Sequence, residues 1–158
     1  MDLYDLSNIE QIKQLKGRYF RTLDTNDWES FGECLTLDCN ASYSDGRLQL
    51  EGREAIVGFM KKHMSSEKLL SMHNGHTPEI SILSESEASG VWYLNDMVID
   101  LERRTQLVGA AIYKDKYRLE DGVWRISYTS YARTFEYFQP ISEEVTFVKN
   151  MFEAAQTA

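Results

Sequence analysis

The chain has 158 residues, 42% hydrophobic and 12% aromatic, which is enough for one sizeable core but short for two domains. Seventeen Lys and Arg against 25 Asp and Glu leave a formal charge of -8, so a polyanion is repelled and nucleic acid is not an expected partner. No apolar run approaches the roughly 20 residues that cross a bilayer, and the acidic start MDLYDLSNIE lacks the basic-then-apolar order of a signal peptide, so a cytoplasmic protein with no membrane partner is expected.

Ser7 followed by Glu10 reads as a capping box, and Ile9, Ile12, Leu15, Tyr19 and Leu23 recur at three- and four-residue steps; together they predict a first helix over 8–25. Asn26-Asp27 restarts a helix whose apolar stripe is Trp28, Phe31 and Leu35, ending near Asp38. A short strand through Ala41, Ser42 and Tyr43 turns at Asp45-Gly46 and pairs back over 48–50. Ile56, Phe59, Met60 and His63 return to helical spacing over 53–63. From residue 76 the period becomes two, giving expected strands over 76–83, 89–101, 106–119 and, after the turn Asp121-Gly122, 123–133. Ser142 opens an expected last helix with Val145, Val148, Met151 and Phe152 on its apolar face.

No repeat or linker divides the sequence, so one domain over 1–158 is expected. Helices followed by a run of strands imply an α+β fold, a cone-shaped roll of curved antiparallel sheet packed with the N-terminal helices. Such a cone encloses either a plain core or a pocket. Cys34 and Cys39 have no second pair or nearby His to complete a zinc site; spacing leaves a disulfide open, and a reducing compartment favours two free thiols.

Several residues fit a plain core poorly. Trp92, Leu94 and Val98 form one face of a strand with Asp96 in its middle, where a carboxylate needs a partner, stays protonated, or is turned outward by a bulge. His73 and His76 lie in an expected loop just ahead of a strand, with Gly75 between them permitting a tight backbone path. No HExxH or facial-triad pattern accompanies them, so no metal is expected. A carboxylate orienting His73 would leave one ring nitrogen free to act as a base. Asp24 is the candidate, because the C-terminal end of a helix is electrostatically the wrong place for an acid. Tyr19, Tyr43 and Tyr131 read individually as core or rim aromatics. Arg133, among Tyr131, Phe135, Tyr137 and Phe138, either lies over rings, pairs with a buried carboxylate, or sits at the surface. Its parity is opposite to that of Trp124, Ile126 and Tyr128 unless a bulge intervenes.

Four segments taken together resemble one family: Tyr19-Phe20-Arg21-Thr22-Leu23-Asp24, Ser42-Tyr43-Ser44-Asp45-Gly46, Ser71-Met72-His73-Asn74-Gly75-His76-Thr77-Pro78-Glu79-Ile80 and Gly90-Val91-Trp92-Tyr93-Leu94-Asn95-Asp96. They are similar to the bile acid 7-alpha-dehydratases of the SnoaL-like branch of the nuclear transport factor 2-like superfamily. The resemblance runs from about residue 8 to 138. It implies that Tyr19, Asp24, Tyr43, His73, Asp96 and Arg133 line a pocket, with Asp24 and His73 as an acid/base dyad. The aromatics Trp92 and Tyr131 are expected to bind substrate beside Tyr43. A departure is Thr105, where those enzymes carry a further pocket tyrosine.

The expected activity is a cofactor-independent dehydratase acting on a hydrophobic ring substrate with a carbonyl or enone, steroid-like or bile-acid-like. His73 would take the proton on carbon, and a neutral Asp96 with Tyr19 would donate hydrogen bonds to the developing enolate. Ketosteroid isomerase, a relative by fold, pairs a tyrosine with a neutral aspartic acid in this way. The same residues could run an isomerase or dehydrohalogenase, and the fold also serves non-catalytic ligand carriers or interaction modules. A homo-oligomer, trimer or dimer, is what the resemblance implies.

Overall fold

A computed structural model of the chain describes residues 2–153. Helix α1 runs Leu3–Asp24 and starts earlier than the Ser7 signal suggested. Asp2 is its N-cap, and Asp2 and Asp5 form the reciprocal capping box. Its stripe Ile12, Leu15, Tyr19 and Leu23 is buried as the spacing required. Helix α2, Trp28–Glu33, is capped by the Asp27 side chain and is shorter than expected. Leu35 belongs instead to strand β1, Leu35–Tyr43, which buries Leu35 and Thr36 together, slips register between Leu35 and Asn40, and then alternates inward at Cys39, Ala41 and Tyr43.

Strand β2, Leu48–Glu51, pairs back on β1 through the turn at Asp45-Gly46, both with positive φ. Helix α3, Arg53–Met64, follows. The long strands are β3 Leu69–Ile82, β4 Glu87–Asp100, β5 Thr105–Glu120 and β6 Val123–Pro140. Among the described residues they form one six-stranded sheet in the order β2-β1-β6-β5-β4-β3. The sheet is not wholly antiparallel, since β1 and β6 run parallel. The intervening chain supplies the long crossover that a parallel pair requires.

Two bulges in β6 reset its parity. Tyr117 pairs with Ile126 but Lys116 with Tyr128, so Ser127 is an extra residue; Ala111 pairs with Arg133 but Ala110 with Phe135, so Thr134 is another. The first slip turns Thr129 into the core and Tyr128 away from it, contrary to the face assigned from Trp124 and Ile126. It also brings Tyr131 and Arg133 to the inner side. Strand β3 has a comparable slip at Thr77-Pro78.

The expected last helix is absent among the described residues. Residues 141–153 carry turns and irregular backbone, and Val148 is 93% exposed. Arg104 is the physical reason. Its guanidinium donates to the carbonyls of Ser142 and Val145, taking groups that a helix would use internally. Farther along, the Asn150 amide donates to the Glu67 carbonyl and ties the segment to the start of β3.

Candidate active site

Asp24 ends α1 and reaches the edge strand β3, which begins seven residues before the expected position and therefore holds His73 on a strand rather than in a loop. His73 Nδ1 lies 2.6 Å from Asp24 Oδ1, the His73 backbone N–H donates to Oδ2 at 2.9 Å, and Ser71 Oγ donates to Oδ1 at 2.7 Å. An ionised carboxylate only accepts, so Nδ1 carries the proton and the lone pair is left on Nε2. Burial pushes the Asp24 carboxyl up, but the hydrogen bond from His73, the positive charge its ring carries once Nε2 is protonated, and the bonds from Ser71 and the His73 backbone outweigh it and hold the group below its usual range.

The imidazole plane is fixed from its other side. Phe20 stacks on it with ring centroids 6.0 Å apart and planes 3° from parallel. Gly75, two residues along β3, makes room for that ring, since a Cβ there would come within 2.3 Å of Phe20 Cε2. Gly75 is thus required by close approach, not by a turn as the loop reading implied.

Asp96 points inward on β4, where Ala88, Gly90, Trp92, Leu94 and Asp96 alternate without a slip. It is the register partner of His73, so the two side chains share the inner face of neighbouring strands. Arg133 meets Asp96 in a two-bonded pair, Nη1 to Oδ1 at 2.5 Å and Nη2 to Oδ2 at 2.9 Å. Arg133 Nε also lies 3.0 Å from Glu136 Oε2. Gly109 lets the guanidinium lie flat, since a Cβ at that position would stand 2.7 Å from Nη1. Burial works to lower the Arg133 pKa, but the bonds and charge of Asp96 raise it above its usual value. Both Asp96 oxygens are acceptors here, so the arrangement differs from a neutral aspartic acid that donates. The donor beside His73 is Arg133.

These groups face a cavity of about 200 Å³. His73, Asp96, Arg133, Tyr43, Tyr113, Tyr131 and Ser44 supply its polar and aromatic wall, and Leu23, Leu48, Phe59, Met60, Met64, Leu94, Val98 and Leu107 the rest. Tyr43 stacks on Tyr131 at 5.3 Å, and Tyr131 shares a hydrogen bond with Ser44 Oγ at 3.2 Å. Tyr19 is one bond removed from the cavity: its hydroxyl lies 3.0 Å from that of Tyr43. Burial pushes both phenols well above their usual pKa, so both remain protonated donors. Trp92 is not brought to the cavity. It lies nearer the start of β4 and donates through Nε1 to Tyr117 OH at 2.8 Å.

Sequence reasoning missed Ser71, Tyr113 and a second charged cluster. Lys16 Nζ is 2.7 Å from Asp115 Oδ2 with both side chains fully buried. Tyr117 and Thr129 donate to the two Asp115 oxygens at 2.9 and 2.8 Å. The signals for it were Lys16 beside Leu15 inside the apolar stripe and Asp115 between the inward Tyr113 and Tyr117. Cys34 and Cys39 are both free and buried, and burial pushes the Cys34 thiol up to about 11 and that of Cys39 up to about 12. Among the described residues no three His, Cys, Asp or Glu side chains are grouped to hold a metal, and no helix is long and apolar enough to cross a membrane.

The chain is similar in fold to a candidate scytalone dehydratase from Novosphingobium aromaticivorans, with a TM-score of 0.80 and 20% identity over 87% of this chain and 91% of that one. The hexachlorocyclohexane dehydrochlorinase LinA-type3 from Novosphingobium barchaimii gives a TM-score of 0.78 and 19% identity, covering 94% and 99%. A Mycobacterium tuberculosis protein of unknown function, Rv3472 with a D26N substitution, gives 0.69 and 22% identity over 81% and 77%. At such identities the likeness speaks for the fold alone. The model of the SnoaL-like domain family matches residues 5–130, so the chain belongs to the SnoaL-like family.

Proposed function

We propose that the protein is a cofactor-independent dehydratase that eliminates water from a compact hydrophobic ring bearing a carbonyl. The observation that carries this reading is a histidine held by a carboxylate through Nδ1, with Nε2 unspent, in an apolar cavity beside an arginine. His73 Nε2 takes the proton from the carbon next to the carbonyl. The C–H electron pair moves toward the carbonyl oxygen, and N–H groups of Arg133 not used on Asp96, with the Tyr43 hydroxyl, stabilise that charge. The neighbouring C–O bond then breaks, and the leaving hydroxide takes the Nε2 proton to become water. General-base help of this kind contributes about 10²–10⁴-fold, and preorganised donors around the oxyanion add about 10²–10³-fold each.

The cavity narrows the substrate class. Its volume of about 200 Å³ lies under the roughly 300–1,000 Å³ of sites for drug-sized ligands. One or two fused rings suit it better than the four-ring skeleton of a steroid or bile acid, which would need α3 to carry Met60 and Met64 aside. A screen of cyclic β-hydroxy ketones, followed by ultraviolet absorbance of the new enone, tests the reading with wild type and His73→Gln side by side. Conjugation with wild type alone supports it, and equal rates in both remove His73 as the base. A halide leaving group would need no proton from His73, so faster turnover of β-halo ketones would favour a dehydrohalogenase, the activity named for LinA-type3.

The reading extends to assembly as a homo-oligomer, with a trimer expected from the family resemblance. Its support is the outer face of the sheet, which should be polar if it faced water. The register instead lines up Met72, Met97, Val108 and Tyr137 in one row and His76, Tyr93, Ile112 and Ala132 in another, with no acidic or basic residue other than His76. Light scattering of wild type and Val108→Glu checks this: an oligomer that the substitution dissociates is expected, and a monomeric wild type would discard it.

A further inference from the structure

Gly17 stands in the middle of α1, where glycine weakens a helix, yet a Cβ built on it would meet nothing within 4 Å. No packing contact demands a glycine there. Helical spacing puts Gly17, Arg21 and Asp24 on one face, three or four residues apart. That face borders an open groove of about 360 Å³ on the outside of the α1/β3 seam, where Phe20 and Thr25 from the helix side and His73, Asn74 and Gly75 from β3 complete the lining. Among the described residues, His73 alone lines both this outer groove and the inner cavity. Its side chain is 11% exposed and that of Asp24 is 20% exposed, so the dyad is a wall with water on one side and the substrate space on the other.

We propose that the groove is the solvent side of a two-sided proton relay, in which Nε2 serves the cavity and Nδ1, through Asp24, serves bulk water. The proposal rests on His73 being the base. A proton taken on Nε2 makes the ring an imidazolium. The Nδ1–H bond then breaks, the proton crosses to Asp24 Oδ1 and on to a groove water, and the ring is left neutral with its proton on Nε2. Giving that proton to the leaving group, while Nδ1 recovers one from the groove through Asp24, restores the starting tautomer. Protons balance over the cycle and no electrons are transferred. The dyad therefore equilibrates with bulk water while a ligand seals the cavity, and Gly17 keeps the way open.

The test is the exchange of the His73 Nδ1 proton with water, read by saturation transfer in the substrate-free protein labelled with nitrogen-15. Gly17→Phe fills the groove, and Gly17→Leu replaces it should the larger ring disturb the amide spectrum. Gly17→Ala strengthens the helix but leaves the groove open, and Met64→Trp narrows the cavity instead. Slowing by about tenfold or more in the Phe or Leu variant, with wild-type exchange in the Ala and Trp variants, is the expected result. Wild-type exchange with the groove filled overturns the proposal, as does equal slowing in Gly17→Ala, which would mean helix opening, or slowing in Met64→Trp, which would mean exchange through the cavity. The readout needs no substrate, so groove-dependent exchange without turnover of any ring ketone would reject the dehydratase reading and keep the solvent route.

Discussion

Two clusters of buried charge lie inside the same cone. At the cavity, Asp24 with His73 and Asp96 with Arg133 are each paired, but among the described residues His73 Nε2 is left without a partner beside open space. Around Lys16 and Asp115 the carboxylate accepts from Tyr117 and Thr129, the ammonium lies 3.8 Å from the Tyr113 ring centroid, and neither charged side chain lines the cavity. Burial lowers the Lys16 pKa, and the Asp115 charge works against that shift. Buried charge is common to both regions and so does not mark a site. The mark is a reactive atom left uncommitted toward a space that a ligand can enter.

The contrast can be broken most forcefully at His73. His73→Gln should reduce kcat by about 10²–10⁴-fold on the substrate that the screen identifies, while the thermal transition stays near that of wild type. Lys16→Ala should do the reverse. It leaves Asp115 buried without its cation, at a cost of about 3–5 kcal/mol in urea unfolding, while turnover per folded molecule is retained. Lys16→Met combined with Asp115→Leu should recover most of that loss, because an apolar pair avoids the desolvation of both ions. A double variant as unstable as the single one would show that Tyr117 and Thr129, not the ion pair, hold the region. Gly75→Val comes next. Its side chain enters the space of Phe20 and should cost about 1–3 kcal/mol while loosening the imidazole, read as a lower melting temperature and a broadened His73 ring resonance.

What the sequence disclosed follows the same physical divide. The face of Trp92, Leu94 and Asp96 was legible because β4 keeps strict alternation, and Asp96 stood out against it. Asp24 was legible as an acid at the wrong helix end. Arg133 was not, because the extra residue Ser127 reverses the parity of β6, and a bulge is set by pairing with a strand distant in sequence. His73 looked like a loop residue because Asn74-Gly75 carries turn chemistry, whereas the glycine answers to Phe20 from α1. The last helix failed for a related reason: its apolar spacing was genuine, but Arg104 from another hairpin takes the carbonyls. Local periodicity thus disclosed the faces of uninterrupted elements, and long-range contacts decided the rest.

The smallest effect separates charge from geometry within the dyad. The Asp24 carboxyl is held below its usual value, so the folded state binds fewer protons there than the unfolded chain does in the window between the two pKa values. The stabilisation is therefore fully present above the unfolded value of about 3.9 and is lost as pH falls through the lower folded value. Asp24→Asn removes that charge and keeps the shape. Wild type should exceed it by on the order of 1 kcal/mol at pH 7 in urea unfolding, discounted for the exposed part of the carboxyl. The gap should begin to close only below about pH 4. A gap that stays constant down to pH 2 would assign the loss to the amide's poorer hydrogen bonds with Ser71 and His73. The dyad would then be held by shape alone, as Lys16 and Asp115 are not.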